Sequence, residues 1–60
     1  MKKIVVLDFG SQLTYVIPFD EGIYEDGEDC ITAFDKERDL GISLGDIQWM
    51  VVDNFKLEVL

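Results

Sequence analysis

Sixty residues with thirteen acids against five bases give a net charge of −8 and a pI near 4.1, which argues against nucleic-acid binding and against docking on anionic membranes. Hydrophobic residues make up 48% of the chain, with four Phe, two Tyr and one Trp, so it reads as a single folded domain and not as an acidic disordered tail. A lone Cys30 and the absence of histidine leave no internal disulfide and no structural zinc site, so a domain this small must rely on tight packing, oligomerisation or a permanent partner.

Lys2 and Lys3 precede only Ile4-Val5-Val6-Leu7 before Asp8 interrupts, too short a run for a signal-peptide core or a membrane span. The unpaired thiol points to a reducing cytoplasm. Lys3 to Phe9 is a β-branched and aliphatic run that predicts the first strand. Gly10-Ser11 suits a two-residue type II′ hairpin turn. Gln12 to Phe19 (QLTYVIPF) returns as the second strand, with Pro18 marking an edge, a bulge or the strand end. The polar stretch Asp20–Asp29 (DEGIYEDGED) connects onward, and Cys30–Asp35 (CITAFD) reads as a third strand able to run on to Asp39.

The segment "GISLGDIQWMVVDN" supports two readings. Ser43 with Asp46 three residues later resembles a helix cap. As a helix, it would place Leu44, Ile47, Met50 and Val51 on one face and Trp49 with Val52 roughly opposite. Alternatively, Gln48–Val52 is a strand joined through Asp53-Asn54 to Phe55–Leu60. The helix is preferred, because the cap comes first and the apolar run is unbroken. The last six residues, FKLEVL, alternate as a final strand. The expected fold class is α+β, a small antiparallel sheet of three to four strands with one α-helix.

Two short motifs suggest catalysis and fail on chemistry. "VLDFGSQ" resembles the opening strand and turn of the glutaminase domain of GMP synthetases, but that chemistry needs a cysteine on a sharp elbow with a histidine base. Cys30 has no glycine-flanked elbow, and the chain has no histidine. Asp8-Phe9-Gly10 spells the kinase metal-binding triplet without the glycine-rich loop, lysine or catalytic loop that give it meaning. A calcium loop centred on Gly27 would put Ala33 where the bidentate glutamate belongs. The sequence therefore predicts a non-enzyme with no cofactor and no metal.

Nine of the acids fall between Asp20 and Asp39. If Asp35-Lys36-Glu37-Arg38-Asp39 is extended, its acids share one face and repeat every ~7 Å, about twice the ~3.4 Å rise per phosphate of a DNA strand. Such a ladder would imitate a nucleic-acid backbone, and Glu25, Asp26, Glu28 and Asp29 in the preceding loop would add to it. Trp49, on the far side of the expected helix, would supply an apolar anchor or a homodimer seam.

"GISLGDIQWM", Gly41 to Met50, is similar to the segment of small phage-encoded uracil-DNA glycosylase inhibitors that leads into their helix. The shared pattern is Gly-aliphatic-Ser-Leu-small-Asp-apolar, followed by an acid or amide. The resemblance implies a homodimeric DNA mimic whose carboxylates fill the enzyme's DNA groove. It marks Asp46, Ile47, Gln48 and Val51 as partner-binding, beside Glu25, Asp26, Glu28, Asp29, Asp35, Glu37, Asp39 and Trp49. Ile47, Gln48 and Val51 are aliphatic, amide and aliphatic where those inhibitors carry aromatic, acidic and aromatic residues. The expected partner is a basic DNA-binding protein, foremost a host uracil-DNA glycosylase. The other functions considered are a mimic aimed at restriction or CRISPR enzymes, an immunity or antitoxin-like protein for a basic toxin, and an acidic structural domain within a larger assembly.

Overall fold

The computed structural model describes all 60 residues. Its order is β1 (Lys2–Asp8), β2 (Leu13–Phe19), α1 (Gly27–Arg38), a single 3-10 turn (Leu44–Asp46) and β3 (Ile47–Val52). The strands form one antiparallel sheet in the order β2-β1-β3, and α1 lies on one face. The α+β class, with three strands and one helix, is as the sequence predicts. Two of the elements have exchanged identities.

The central strand β1 is apolar in both parities, and Ile4, Val5 and Val6 are all buried. On the helix side, Ile4 stands between Ile17 of β2 and Val51 of β3, and Val6 between Tyr15 and Trp49. Ile4, Val6, Ile17, Phe19 and Ile47 form the sheet's half of the core; Cys30 and Ile31 form the helix's half. Because pleated side chains alternate, the intervening residues Val5, Leu7, Val16 and Met50 point to the opposite face.

The β1–β2 hairpin is not the type II′ turn expected at Gly10-Ser11. Asp8 pairs with Leu13, so the loop spans Phe9–Gln12. The left-handed residue is Gln12, at φ 63°, whose N–H donates to the Asp8 carbonyl at 2.8 Å. Asp8 organises the turn from a nearly buried position: its Oδ1 accepts from the N–H of Gly10 (3.0 Å) and of Ser11 (3.3 Å). These bonds give the buried carboxylate the partners it requires.

Residues 30–35, expected as a strand, are the middle of α1. Asp26 caps the helix, its Oδ1 accepting from the Asp29 N–H at 2.8 Å. Glu28 and Asp29 in the first turn and Lys36 and Arg38 in the last oppose the helix dipole favourably. Cys30, Ile31 and Phe34 then fall on one stripe toward the sheet. The chain leaves through Asp39, left-handed at φ 53°, and the Asp39 and Leu40 N–H groups both donate to the Asp35 carbonyl. This is a helix-terminating arrangement normally built on glycine.

The expected helix over Leu44–Val52 is instead the 3-10 turn followed by β3. Ser43 makes no side-chain capping bond. The reason lies in β1: its second edge needs a partner, and the β-branched and aromatic run Trp49–Val52 supplies one in register with Lys3–Val6. Tertiary pairing outweighs a local cap. The expected final strand at Phe55–Leu60 is also absent, since those residues carry no regular structure. No helix is long and apolar enough to cross a membrane.

Candidate acidic binding surface

Asp20 to Asp39 forms one layer of the molecule, made of the β2–α1 connection and α1 itself. It holds nine acids against Lys36 and Arg38, a net charge of −7. The remainder of the chain, mostly sheet, holds Asp8, Asp46, Asp53 and Glu58 against Lys2, Lys3 and Lys56, a net charge of −1. The charge is therefore divided by layer. The single ion pair in the structure joins Lys2 Nζ to Glu21 Oε1 at 3.4 Å across exposed positions, so almost none of the acidic layer is neutralised by direct contact.

Several of these carboxylates have local work. Asp20 Oδ1 accepts from the Gly22 N–H at 2.9 Å, Asp26 caps α1, and Asp35 Oδ1 accepts from the Ile42 N–H at 3.1 Å. Glu25, Glu28, Asp29, Glu37 and Asp39 are exposed and accept no hydrogen bond. The first three cluster at the N-terminal end of the helix, where the partial positive charge of unpaired N–H groups favours them.

The phosphate-spaced ladder expected over Asp35, Glu37 and Asp39 does not exist. At 100° per residue, Asp35 and Glu37 lie on nearly opposite sides of α1, and Asp39 lies past its end in a left-handed conformation. The group Asp46 to Val51 is likewise dispersed, because a strand sends alternate residues to opposite faces. Asp46 sits in the exposed turn, and its carbonyl accepts from the Phe9 N–H at 3.0 Å. Ile47 is buried in the core, Gln48 and Met50 lie on the face away from α1, and Val51 lies on the helix side.

Trp49 was expected to face away from the core of the fold. It faces α1, and its six-membered ring rests on Gly27: a β-carbon added there would meet Cζ3 and lie 2.8 Å from Cη2. The indole is still 39% exposed. It is thus a partly covered residue of the edge strand β3, beside the start of the acid-rich helix.

The sequence reading missed the face of the sheet opposite α1, where Leu7, Val16 and Met50 stand exposed around the buried Val5. A shallow hollow of about 200 Å³ opens there, lined by Val5, Leu7, Gln48, Trp49 and Met50. The signal was present: a strand apolar in both parities, as Ile4–Leu7 is, needs cover on both faces.

Cys30 is fully buried, its thiol donates to the Pro18 carbonyl at 3.6 Å, and burial raises its pKa above the ordinary 9.0. Such a thiol is a poor nucleophile. No three His, Cys, Asp or Glu side chains are grouped so as to hold a metal ion. No protein-family model matches the chain, and neither a curated protein nor a solved structure is significantly similar to it.

Proposed function

We propose that this chain is a non-catalytic acidic module that occupies the positively charged nucleic-acid-binding surface of another protein, a DNA mimic in the broad sense. The observation that carries this reading is the division of charge by layer, with −7 concentrated over Asp20–Asp39 and one ion pair in the molecule. An unneutralised acidic face speeds encounter with a basic groove and repels nucleic acid from the same groove. The carboxylates proposed to meet the partner are Glu25, Glu28, Asp29, Glu37 and Asp39, with Trp49 as the aromatic neighbour able to cover a partner's aliphatic stem.

Uracil-DNA glycosylase is the first target to test. Its support is the Gly41–Met50 pattern alone, since that segment is a turn and a strand here and the position-by-position roles of Ile47, Gln48 and Val51 lose their helical basis. The decisive experiment adds the protein to a uracil-excision assay and, in parallel, to host lysate with competing duplex DNA. Excision is expected to fall with added protein, to recover as salt rises, and to recover with excess DNA. Full excision at large molar excess removes that enzyme. A captured partner that ignores both salt and DNA overturns the mimic reading altogether.

A further inference from the structure

β3 closes one side of the sheet and no further strand lies beyond it: the order is β2-β1-β3, and Phe55–Leu60 carries no regular structure. One contact fixes which backbone groups of β3 point outward. The Phe9 N–H donates to the Asp46 carbonyl at 3.0 Å, one step past the Asp8–Ile47 pair. Antiparallel bonds recur at every second pair, so Gln48, Met50 and Val52 bond to β1. Ile47, Trp49 and Val51 turn their N–H and C=O groups away from the sheet, and no turn, loop or side-chain bond takes these up. Ile47 is nearly buried, whereas Trp49 and Val51 are 39% and 38% exposed. The usual guards of an edge, a lysine, a proline or a bulge, are absent from Ile47–Val52, so it is open to pairing.

The surroundings of this edge specify what fits it. α1 begins over β3, where Gly27 meets the Trp49 ring, and ends beside β2, where Phe34 and Arg38 border a hollow with Tyr15 and Pro18. The exposed carboxylates Glu25, Asp26, Glu28 and Asp29 are therefore gathered at the β3 side of the helix layer. Opposite residues of paired strands share a face. A strand added about 4.8 Å outside β3 thus sets alternate side chains next to Trp49 and Val51, toward those acids. The intervening ones fall beside Gln48 and Met50 on the open face, at the apolar hollow. Positive charge suits the first set, both for the carboxylates and for the indole face, and aliphatic chains suit the second.

We propose that the free edge of β3 takes up an extended segment of a basic partner as an antiparallel fourth strand. Its basic side chains turn toward the start of α1 and its apolar ones toward the open face. Main-chain bonds to Trp49 and Val51 supply affinity, and the alternating side chains supply the choice of partner. This deepens the reading above, on which it rests for the partner's positive charge, by adding how that partner is held.

The probe is a short capped peptide of alternating lysine and valine, titrated into the full chain. Saturable binding is expected, with a change in Trp49 emission and new amide-exchange protection at Trp49 and Val51. In the antiparallel pairing the lysine residues bond to β3. N-methylation of the lysine amides should therefore weaken binding about tenfold or more, whereas N-methylation of the valine amides should leave it within about twofold. Val51→Pro removes an outward donor and no bond to β1, and should weaken binding as much with far-UV circular dichroism unchanged. The two methylated peptides act on the unaltered chain, so the test stands even where Val51→Pro perturbs the fold. No saturation at about 1 millimolar peptide overturns the proposal. So do equal losses from the two methylations, which mark a charge-only contact, and protection that rises with protein concentration without peptide, which marks a second copy. Peptide failure with intact DNA competition overturns the edge pairing alone. Peptide binding without DNA competition overturns the mimic reading alone.

Discussion

Gln12 holds φ 63° in the β1–β2 loop, a conformation that costs an L-residue roughly 1–2 kcal/mol. Glycine removes that cost and adds back about 0.4–1 kcal/mol of unfolded-state entropy. Gln12→Gly is therefore expected to stabilise the domain by about 0.5–1 kcal/mol, and chemical denaturation reads this as a higher midpoint at unchanged slope. Cys30 gives a second test at the same scale. Its folded-state pKa is raised by burial, so the neutral thiol is the form the fold prefers. That contribution is complete below the unfolded value, the ordinary 9.0, and is lost as pH climbs through the higher folded value. Native protein at pH 8 should not react with a thiol reagent until denatured, and its denaturation midpoint should fall on going above about pH 9. Rapid labelling of the native protein would show that the helix does not seal this position.

Gly27 joins the helix start to β3 through the Trp49 ring. Alanine there improves helix propensity by up to about 1 kcal/mol, but its methyl must displace the indole. Loss of the ring's covered surface outweighs the gain, so Gly27→Ala should cost on the order of 1 kcal/mol net. The emission of Trp49, the one tryptophan of the chain, should shift to the red. In a Trp49→Leu background the same substitution should turn neutral or stabilising, which isolates the contact. The β1–β2 pair was legible in the sequence because Lys3–Phe9 and Gln12–Phe19 are short, apolar and bounded by turn residues. The helix was not, because Cys-Ile-Thr-Ala-Phe has strand-like composition. Its true signal was Asp26 three residues before Asp29, with apolar positions at 30, 31 and 34. The segment Gln48–Val52 misled in the opposite sense: its local cap suggested a helix, and only the need of β1 for a second neighbour makes it a strand. Long-range pairing of that kind is not encoded in any window of the chain. The acids of the proposed surface could be read directly, but their geometry could not, since Asp35, Glu37 and Asp39 align only if extended.

At the scale of the whole molecule, −7 of the −8 charge crowds one layer with a single ion pair to relieve it. Self-repulsion of that layer should be screened by salt. Raising sodium chloride from low ionic strength to about 0.5 M is expected to raise the thermal midpoint by several degrees. A fall would mean that attractive pairs dominate instead. Pro18 carries a different consequence. It sits in β2, the outer strand on one side of the sheet, it has no N–H to offer, and its carbonyl is taken by the Cys30 thiol. A newcomer strand trying to lengthen the sheet from that side finds a donor missing and an acceptor spoken for. Lateral growth is therefore disfavoured past β2 relative to β3, so one ring works against the edge-to-edge stacking of chains into a fibre.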